Sequence, residues 1–315
     1  RADPARQRTR LRASASPGRD SGTGHGPPLP AATRACFAEC VPGRPFARDE
    51  DGTVQHVTSR DGTAIAYERT GSGPALVLVH GTGIDHTYWD PLVPALARHF
   101  TVYAMDRRGR GQSGDALPYA AEHEFQDVAA LVDAIPGTVD VLGHSYGALC
   151  ALEATLLTPR IHKLALNEPP MYTSTDISYP EDTLDRYDAL LRAGEAERSL
   201  LLLYEVGQTP ADEVRLLRSQ PNWQARVAAA PTIPREILAV RDYTADPARF
   251  RSVSTPILFL LGGETLPIYT AATQALHHWL PHSRIVVLPG QPHDAAVTAP
   301  DLVTREVLRY FLDAA

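Results

Sequence analysis

The stretch Thr138-Val139-Asp140-Val141-Leu142-Gly143-His144-Ser145-Tyr146-Gly147-Ala148-Leu149-Cys150-Ala151-Leu152 decides the fold. Its first five residues form a short β-branched and apolar run that predicts a strand. The Ala- and Leu-rich pattern from Ala148 to Leu157 predicts a helix. A serine therefore stands at the apex of a strand, a tight turn and a helix. Such a turn forces the serine into a strained backbone conformation, and only small residues two positions before and after it let strand and helix approach closely. Here those residues are Gly143 and Gly147. The hydroxyl is then held above the sheet edge, while the helix N-terminus turns free N–H groups and its positive dipole end toward any anion formed there. That is the layout of a serine nucleophile, with Ser145 in the role. An ordinary glycine-flanked turn can carry the same five letters, so the surrounding sequence has to decide.

Upstream, Val54 to Ser59 and Ala64 to Arg69, separated by Arg60-Asp61-Gly62-Thr63, read as a hairpin through an Asp-Gly turn. The apolar run Ala75-Leu76-Val77-Leu78-Val79 follows and predicts a strand buried on both faces. Helix and strand then alternate: Tyr88 to Phe100 helical, Thr101 to Met105 strand, Glu122 to Ile135 helical, the serine strand and its helix, and Lys163 to Asn167 strand. The alternation resumes with Pro256 to Leu261 as strand, Tyr269 to Leu280 as helix, Arg284 to Leu288 as strand and Asp301 to Leu312 as a closing helix. Repeated βα units predict an α/β fold with a mostly parallel sheet flanked by helices. Ligands of such sheets bind at the carboxyl ends of the strands.

Composition bounds the function classes. The 315 residues are 43% hydrophobic and 21% charged, an ordinary globular balance. A formal net charge of -7 gives no reason to expect a nucleic-acid partner. No apolar run approaches the roughly 18 to 20 residues of a membrane span. Three cysteines, Cys36, Cys40 and Cys150, are too few and too unevenly placed for a disulfide framework or a zinc site. Cys150 is expected simply to pack on the helix after the serine. Residues 1–50 are dominated by Arg, Pro, Gly, Ala and Ser without a helix or strand period, and read as a disordered extension. Their Arg-rich, acid-poor start resembles a transit peptide, but a leader without a targeting role is the favoured reading, which makes the expected location cytoplasmic. Residues 51–315 form the folded domain.

Three strand ends carry the residues that a serine hydrolase needs. The first bears His80-Gly81-Thr82-Gly83, whose glycines let backbone N–H groups turn toward a site, and the second bears Ser145. The third, after Ile285-Val286-Val287-Leu288, bears Pro289-Gly290-Gln291-Pro292-His293-Asp294. This loop follows the last expected strand and presents His293 where a general base can reach over the serine.

On these residues the chain from about Thr53 to its C-terminus resembles the α/β-hydrolase superfamily. The matching motifs are His80-Gly81-Thr82-Gly83 followed by Trp89, Asp106-Arg107-Arg108-Gly109-Arg110-Gly111-Gln112-Ser113, Gly143-His144-Ser145-Tyr146-Gly147, and Gly290-Gln291-Pro292-His293. They stand in the order and strand-to-helix settings of that fold. The resemblance implies an oxyanion hole built from the backbone N–H groups of Thr82 and Tyr146. The Asp106 to Ser113 loop reads as a structural turn rather than a substrate clamp, and His80 and His144 as scaffold residues of their motifs.

The acid departs from the family pattern. In Leu260-Leu261-Gly262-Gly263-Glu264-Thr265-Leu266-Pro267 the place of the family's usual aspartate, three residues past a glycine, falls on Thr265 or Leu266, and neither can hold an imidazolium by charge. Two carboxylates can substitute. Glu168, in Leu166-Asn167-Glu168-Pro169-Pro170, lies just past the strand after the nucleophile helix, a position some superfamily members such as haloalkane dehalogenases use. Glu264 sits one residue before the customary place. Glu168 is favoured because a strand end followed by two prolines holds a side chain more firmly than a glycine-flanked loop.

Between about residues 171 and 252 strand signals vanish and helical spacing recurs, broken by Pro210, Pro221, Pro231 and Pro234. By the resemblance this is a helical cap over the site, with Tyr172, Tyr179, Tyr187, Tyr204, Trp223 and Tyr243 as candidates to line an apolar cavity. The expected activity is cofactor-free and metal-free hydrolysis of an ester, thioester or related acyl bond of a small apolar molecule. Ser145, His293 and Glu168 (alternatively Glu264) carry it. Haloperoxidase or perhydrolase chemistry and carbon-carbon bond hydrolysis use the same serine site. A ligand-binding or non-hydrolytic protein on this scaffold is the rival from another class. The substrate and the oligomeric state are not legible.

Overall fold

The computed structural model describes residues 55–171 and 180–313. Among these residues eight strands form one sheet: β1 (Gln55–Thr58), β2 (Ala64–Gly71), β3 (Ala75–Val79), β4 (Thr101–Met105), β5 (Val139–His144), β6 (Ile161–Asn167), β7 (Ile257–Gly262) and β8 (Ser283–Leu288). Their spatial order is β1-β2-β4-β3-β5-β6-β7-β8. β2 runs antiparallel to both β1 and β4, and every other neighbouring pair is parallel. The alternation of helix and strand in the sequence predicts this sheet, because a parallel partner is reached only through a crossover, here mostly helical.

The central strands are buried on both faces. Val77, Val79, Val141, Leu164, Leu166 and Phe259 point to one side, and Leu76, Leu78, Leu142, Ala165, Leu258 and Leu260 to the other. The first face is covered by α2 (Ala121–Ala134), α3 (Tyr146–Ala154) and α10 (Pro267–Trp279). α2 presents Phe125, Val128, Ala129, Leu131 and Val132 at helical spacing and stops where Pro136 follows. The second face is covered by the short α1 (Val93–Leu96) and by α12 (Pro300–Leu312), which buries Val303, Val307, Tyr310 and Phe311. The single helix expected over Tyr88 to Phe100 is instead a 3₁₀ turn, His86–Trp89, followed by α1. Pro91 and Pro94 prevent an unbroken helix, since each lacks the N–H that the interior of a helix requires.

Among the described residues six α-helices and one 3₁₀ turn (Ala230–Thr232) lie between β6 and β7, the helices being α4 (Thr183–Arg192), α5 (Ala196–Val206), α6 (Ala211–Ser219), α7 (Trp223–Ala229), α8 (Ile233–Asp242) and α9 (Pro247–Phe250). This insertion has its own apolar cluster, with Tyr187, Leu200, Leu202, Leu217, Trp223, Ile233 and Ile237 at its centre. The extension of residues 1–50, with Cys36 and Cys40, and the candidates Tyr172 and Tyr179 lie outside the described residues. The loop after β8 leads through a short α11 (Ala295–Thr298) into α12.

Candidate active site

Ser145 sits between β5 and α3 with φ 52° and ψ -126°, a region that a residue with a side chain rarely adopts. The surroundings hold it there. A Cβ on Gly147 would lie 2.2 Å from the carbonyl oxygen of His80, and one on Gly143 would lie 2.6 Å from Ala148 Cα. Any larger residue at either position would drive helix and sheet apart. The Ser145 N–H donates to the Asn167 carbonyl at 2.8 Å, which ties the turn to the end of β6. Cys150 is fully buried on α3.

The loop after β3 lies against the serine. A Cβ on Gly81 would be 3.0 Å from Ser145 Cβ, and Thr82, the next residue, lines the same cavity as Ser145. The Tyr146 N–H opens α3 and has no acceptor within its own helix. The two N–H groups that the resemblance names thus belong to backbone adjoining Ser145.

Glu168 follows β6 directly, with φ 51°, and is completely buried. Its Oε1 accepts from the Gly262 N–H at 2.6 Å, and its Oε2 accepts from Thr265 Oγ1 at 2.8 Å. His293 Nδ1 lies 2.5 Å from the same Oε2. The structure therefore brings together Glu168 and His293, and the residue at the family's customary acid position, Thr265, donates a hydrogen bond to the glutamate. Glu264 is exposed on the cavity lining, and its backbone N–H donates to the Gln291 carbonyl at 3.0 Å. With Nδ1 donating to a carboxylate, His293 keeps its proton there and leaves Nε2 as the acceptor. Burial disfavours the charged imidazole, but the hydrogen bond and charge of Glu168, with Asp294 and Glu213, outweigh it and hold the His293 pKa above its ordinary 6.5.

Tyr269, near the start of α10, stacks on the His293 ring with centroids 3.9 Å apart and an interplanar angle of 11°. His144 packs on the other side of this region. It stacks on Tyr88 at 4.5 Å, and its Nε2 meets the His293 carbonyl at 3.3 Å. Burial and the neighbouring His293 hold the pKa of His144 down to about 3, so it stays neutral. His80 is also buried and neutral, and its Nε2 accepts the Arg107 N–H at 3.1 Å.

The arginine-rich loop is a structural turn. Asp106 accepts from the His86 N–H and Gln112 N–H and from His86 Nδ1, the last at 2.7 Å. Arg107 reaches Glu124 on α2 at 2.8 Å, Glu236 on α8 at 2.8 Å and the Gly81 carbonyl at 2.9 Å. Arg110 pairs with the same two glutamates. Burial raises the Glu124 pKa, but Arg107 and Arg110 prevail and hold it at about 2. Among the described residues Asp85, His86 and Asp106 bring three potential metal-ligand atoms within 4.8 Å of one another. Those atoms are already engaged, Asp85 with Thr87 and His86 with Asp106, and none of the three residues lines the serine cavity.

That cavity, of ≈ 160 Å³, is lined by Thr82, Ser145 and His293 from the strand ends and by Leu203, Ile237 and Val240 from the insertion. Of the aromatic candidates, Tyr204 lines it, whereas Tyr187 and Trp223 belong to the insertion core. Tyr243 donates instead to Glu153 at 2.6 Å and faces a different cavity. Tyr269, Glu213, Arg226 and Asp294 are lining residues that the sequence analysis did not single out. Only Asp294, beside His293, carried a positional signal.

A strained serine turn between β5 and α3, set in a mostly parallel eight-stranded sheet, defines the class. Residues 76–306 match the sequence model described as the Alpha/beta hydrolase family, and the chain belongs to that family of enzymes. Among solved structures, an alpha/beta hydrolase from Sphaerobacter thermophilus is 39% identical and superposes with a TM-score of 0.72, covering 82% of this chain and 100% of that one. A pimeloyl-[acyl-carrier protein] methyl ester esterase from Nitrosomonas europaea is 26% identical over 76% of this chain and 96% of its own length. A 2-(acetamidomethylene)succinate hydrolase from Mesorhizobium japonicum is also 26% identical, over 78% of this chain and 90% of its own length. Among the described residues no helix is long and apolar enough to cross a membrane.

Proposed function

We propose that this protein is a serine hydrolase that cleaves an ester, thioester or related acyl bond of a small molecule through a covalent acyl-enzyme. The observation that carries the reading is the 2.5 Å contact of His293 Nδ1 with the fully buried Glu168, with Ser145 and His293 on the wall of one cavity. His293 Nε2 takes the proton of Ser145 Oγ as that oxygen attacks the carbonyl carbon. The Thr82 and Tyr146 N–H groups receive the negative oxygen, each such donor contributing about 3 kcal/mol in the transition state. The proton on His293 passes to the departing alcohol or thiol as its bond to the acyl carbon breaks. Water then attacks the acyl-enzyme, gives a proton to His293 and returns the serine. Glu168 orients the imidazole and balances its positive form.

The insertion serves as a cap that selects the substrate. A cavity of ≈ 160 Å³ is close to one of about 150 Å³ that accepts benzene, so the acyl group is small. Ester cleavage fits relatives that are themselves an esterase and a hydrolase. A serine-directed phosphonate, combined with a panel of esters of increasing acyl length, tests the reading. Stoichiometric labelling of Ser145 and turnover that falls off beyond short acyl chains are expected. Labelling of another serine, or none, would remove the reading.

A further inference from the structure

Arg226, on α7 of the insertion, is 3% exposed and lines the cavity that holds Ser145 and His293. Its Nη1 donates to Tyr204 Oη at 3.2 Å, while its Nε and Nη2 have no hydrogen-bond partner. A guanidinium stays ionised in any protein setting, and a buried one with idle donors is costly, so these two N–H groups call for an acceptor. Two carboxylates share the cavity wall, Asp294 and Glu213, and among the described residues neither forms an ion pair with Arg226. Against the upward push of burial, the field of Arg226 holds the Asp294 carboxyl below its ordinary range, so Asp294 balances charge through space without using the donors. Burial and the neighbouring Asp294 push Glu213 up to about 7, which lets it shed its charge near neutrality instead of repelling an incoming anion.

We propose that Arg226 is a specificity residue that binds a carboxylate carried by the acyl half of the substrate, so that the preferred substrates are half-esters of short dicarboxylic acids. The acyl half is the part that stays bonded to Ser145 inside the cavity, and Arg226 is one of the residues of that cavity's wall. A carboxylate supplies two acceptor oxygens in a plane that matches adjacent Nε and Nη2 donors. The inference rests on the hydrolase reading for the bond that is cut.

The test compares monomethyl glutarate with methyl valerate, its uncharged counterpart of the same acyl length, on the full chain, following methanol release. For the wild type kcat/KM favours the half-ester at least tenfold. Arg226→Met lowers that ratio at least tenfold, and Arg226→Lys restores part of it. Glutarate, measured by calorimetry, binds the wild type and not Arg226→Met, whereas valeramide binds neither. If Arg226→Met does not fold, the wild-type ratio and the binding of glutarate against valeramide decide. Preference for methyl valerate, an unchanged ratio in folded Arg226→Met, or failure of glutarate to bind the wild type overturns the proposal. Absence of turnover of both esters and of Ser145 labelling overturns the hydrolase reading instead, and glutarate binding then still judges Arg226.

Discussion

Arg107 and Arg226 are both buried guanidinium groups, 1% and 3% exposed, but their surroundings are opposite. Every nitrogen of Arg107 meets an acceptor: Nε and Nη2 meet Glu124 and Glu236, and Nη1 meets the Gly81 carbonyl. Arg108 is equally well supplied, with Asp127 and Asp61 around it. Arg226 has one hydrogen-bond partner, the neutral Tyr204 hydroxyl, with the Tyr88 ring 5.9 Å from its guanidinium, and two idle donors. Buried charge is tolerated where the scaffold completes its hydrogen bonds, and a charge left incomplete beside a cavity points to something that arrives later. The same contrast separates Glu168, whose oxygens meet Gly262, Thr265 and His293, from Glu213, whose Oε1 has no partner.

The largest effect falls on the reaction itself. Ser145→Ala should lower turnover by a factor on the order of 10⁶ and abolish phosphonate labelling while leaving the thermal midpoint in place. If an active variant remained, the cavity that Arg226 faces would not be the reactive one, and the contrast would lose its functional half.

Next is Glu168→Gln, expected to slow kcat by about 10⁴ through loss of the imidazole's orientation and charge partner. The wild-type rate should rise with pH along a limb centred above 6.5, because His293 must lose its proton to act and Glu168 raises its pKa. Removing that carboxylate charge moves the residual limb to lower pH. A pH–rate profile of both proteins checks the direction, and equal activity of the two would place the acid elsewhere.

The contrast is sharpened most directly by stability measurements. Glu124→Gln leaves Arg107 and Arg110 short of a counter-charge and should cost about 3 to 5 kcal/mol in chemical denaturation. Because the pKa of Glu124 is depressed, from 4.5 to about 2, its stabilisation is present above 4.5 and is lost as pH falls toward 2. The variant should therefore lose less stability over that interval than the wild type does. Arg226→Met should cost clearly less than Glu124→Gln in the same assay, since the charge it removes has incomplete hydrogen bonds and meets its counter-charge Asp294 only through space. A large loss would make Arg226 part of the scaffold like Arg107.

The smallest effect is that of Thr265→Val. It removes one hydrogen bond to the Glu168 carboxylate, worth about 1.5 to 3 kcal/mol of stability, and should change kcat far less than Glu168→Gln does, because the carboxylate itself stays on His293. A change as large as that of Glu168→Gln would mean that Thr265 does more than steady the carboxylate.

The order of strands and helices was legible from the alternation of apolar runs and helical periods, because those periods are local consequences of side-chain direction. The helical character of the insertion was legible for the same reason, with prolines marking breaks in the helical spacing. The misreading of Tyr88 to Phe100 came from following the apolar spacing across Pro91 and Pro94. The serine turn was legible because it demands small residues at fixed offsets, and Gly143 and Gly147 meet backbone atoms that leave no room for a Cβ.

Sequence by itself thus determined the sheet, the α/β architecture and the placement of Ser145 between β5 and α3, since each depends on residues close along the chain. Only the tertiary structure decided which carboxylate meets His293. Glu168 and His293 are 125 positions apart and come within 2.5 Å because β6 and β7 are neighbours and β8 lies beside β7. It also decided the partners of the arginines: Arg107 meets Glu236 across 129 positions, and nothing in the local sequence of Arg226 distinguishes it from the paired arginines. Hydrogen-bond completion is a property of the surroundings, and those exist only once the insertion has packed over the strand ends.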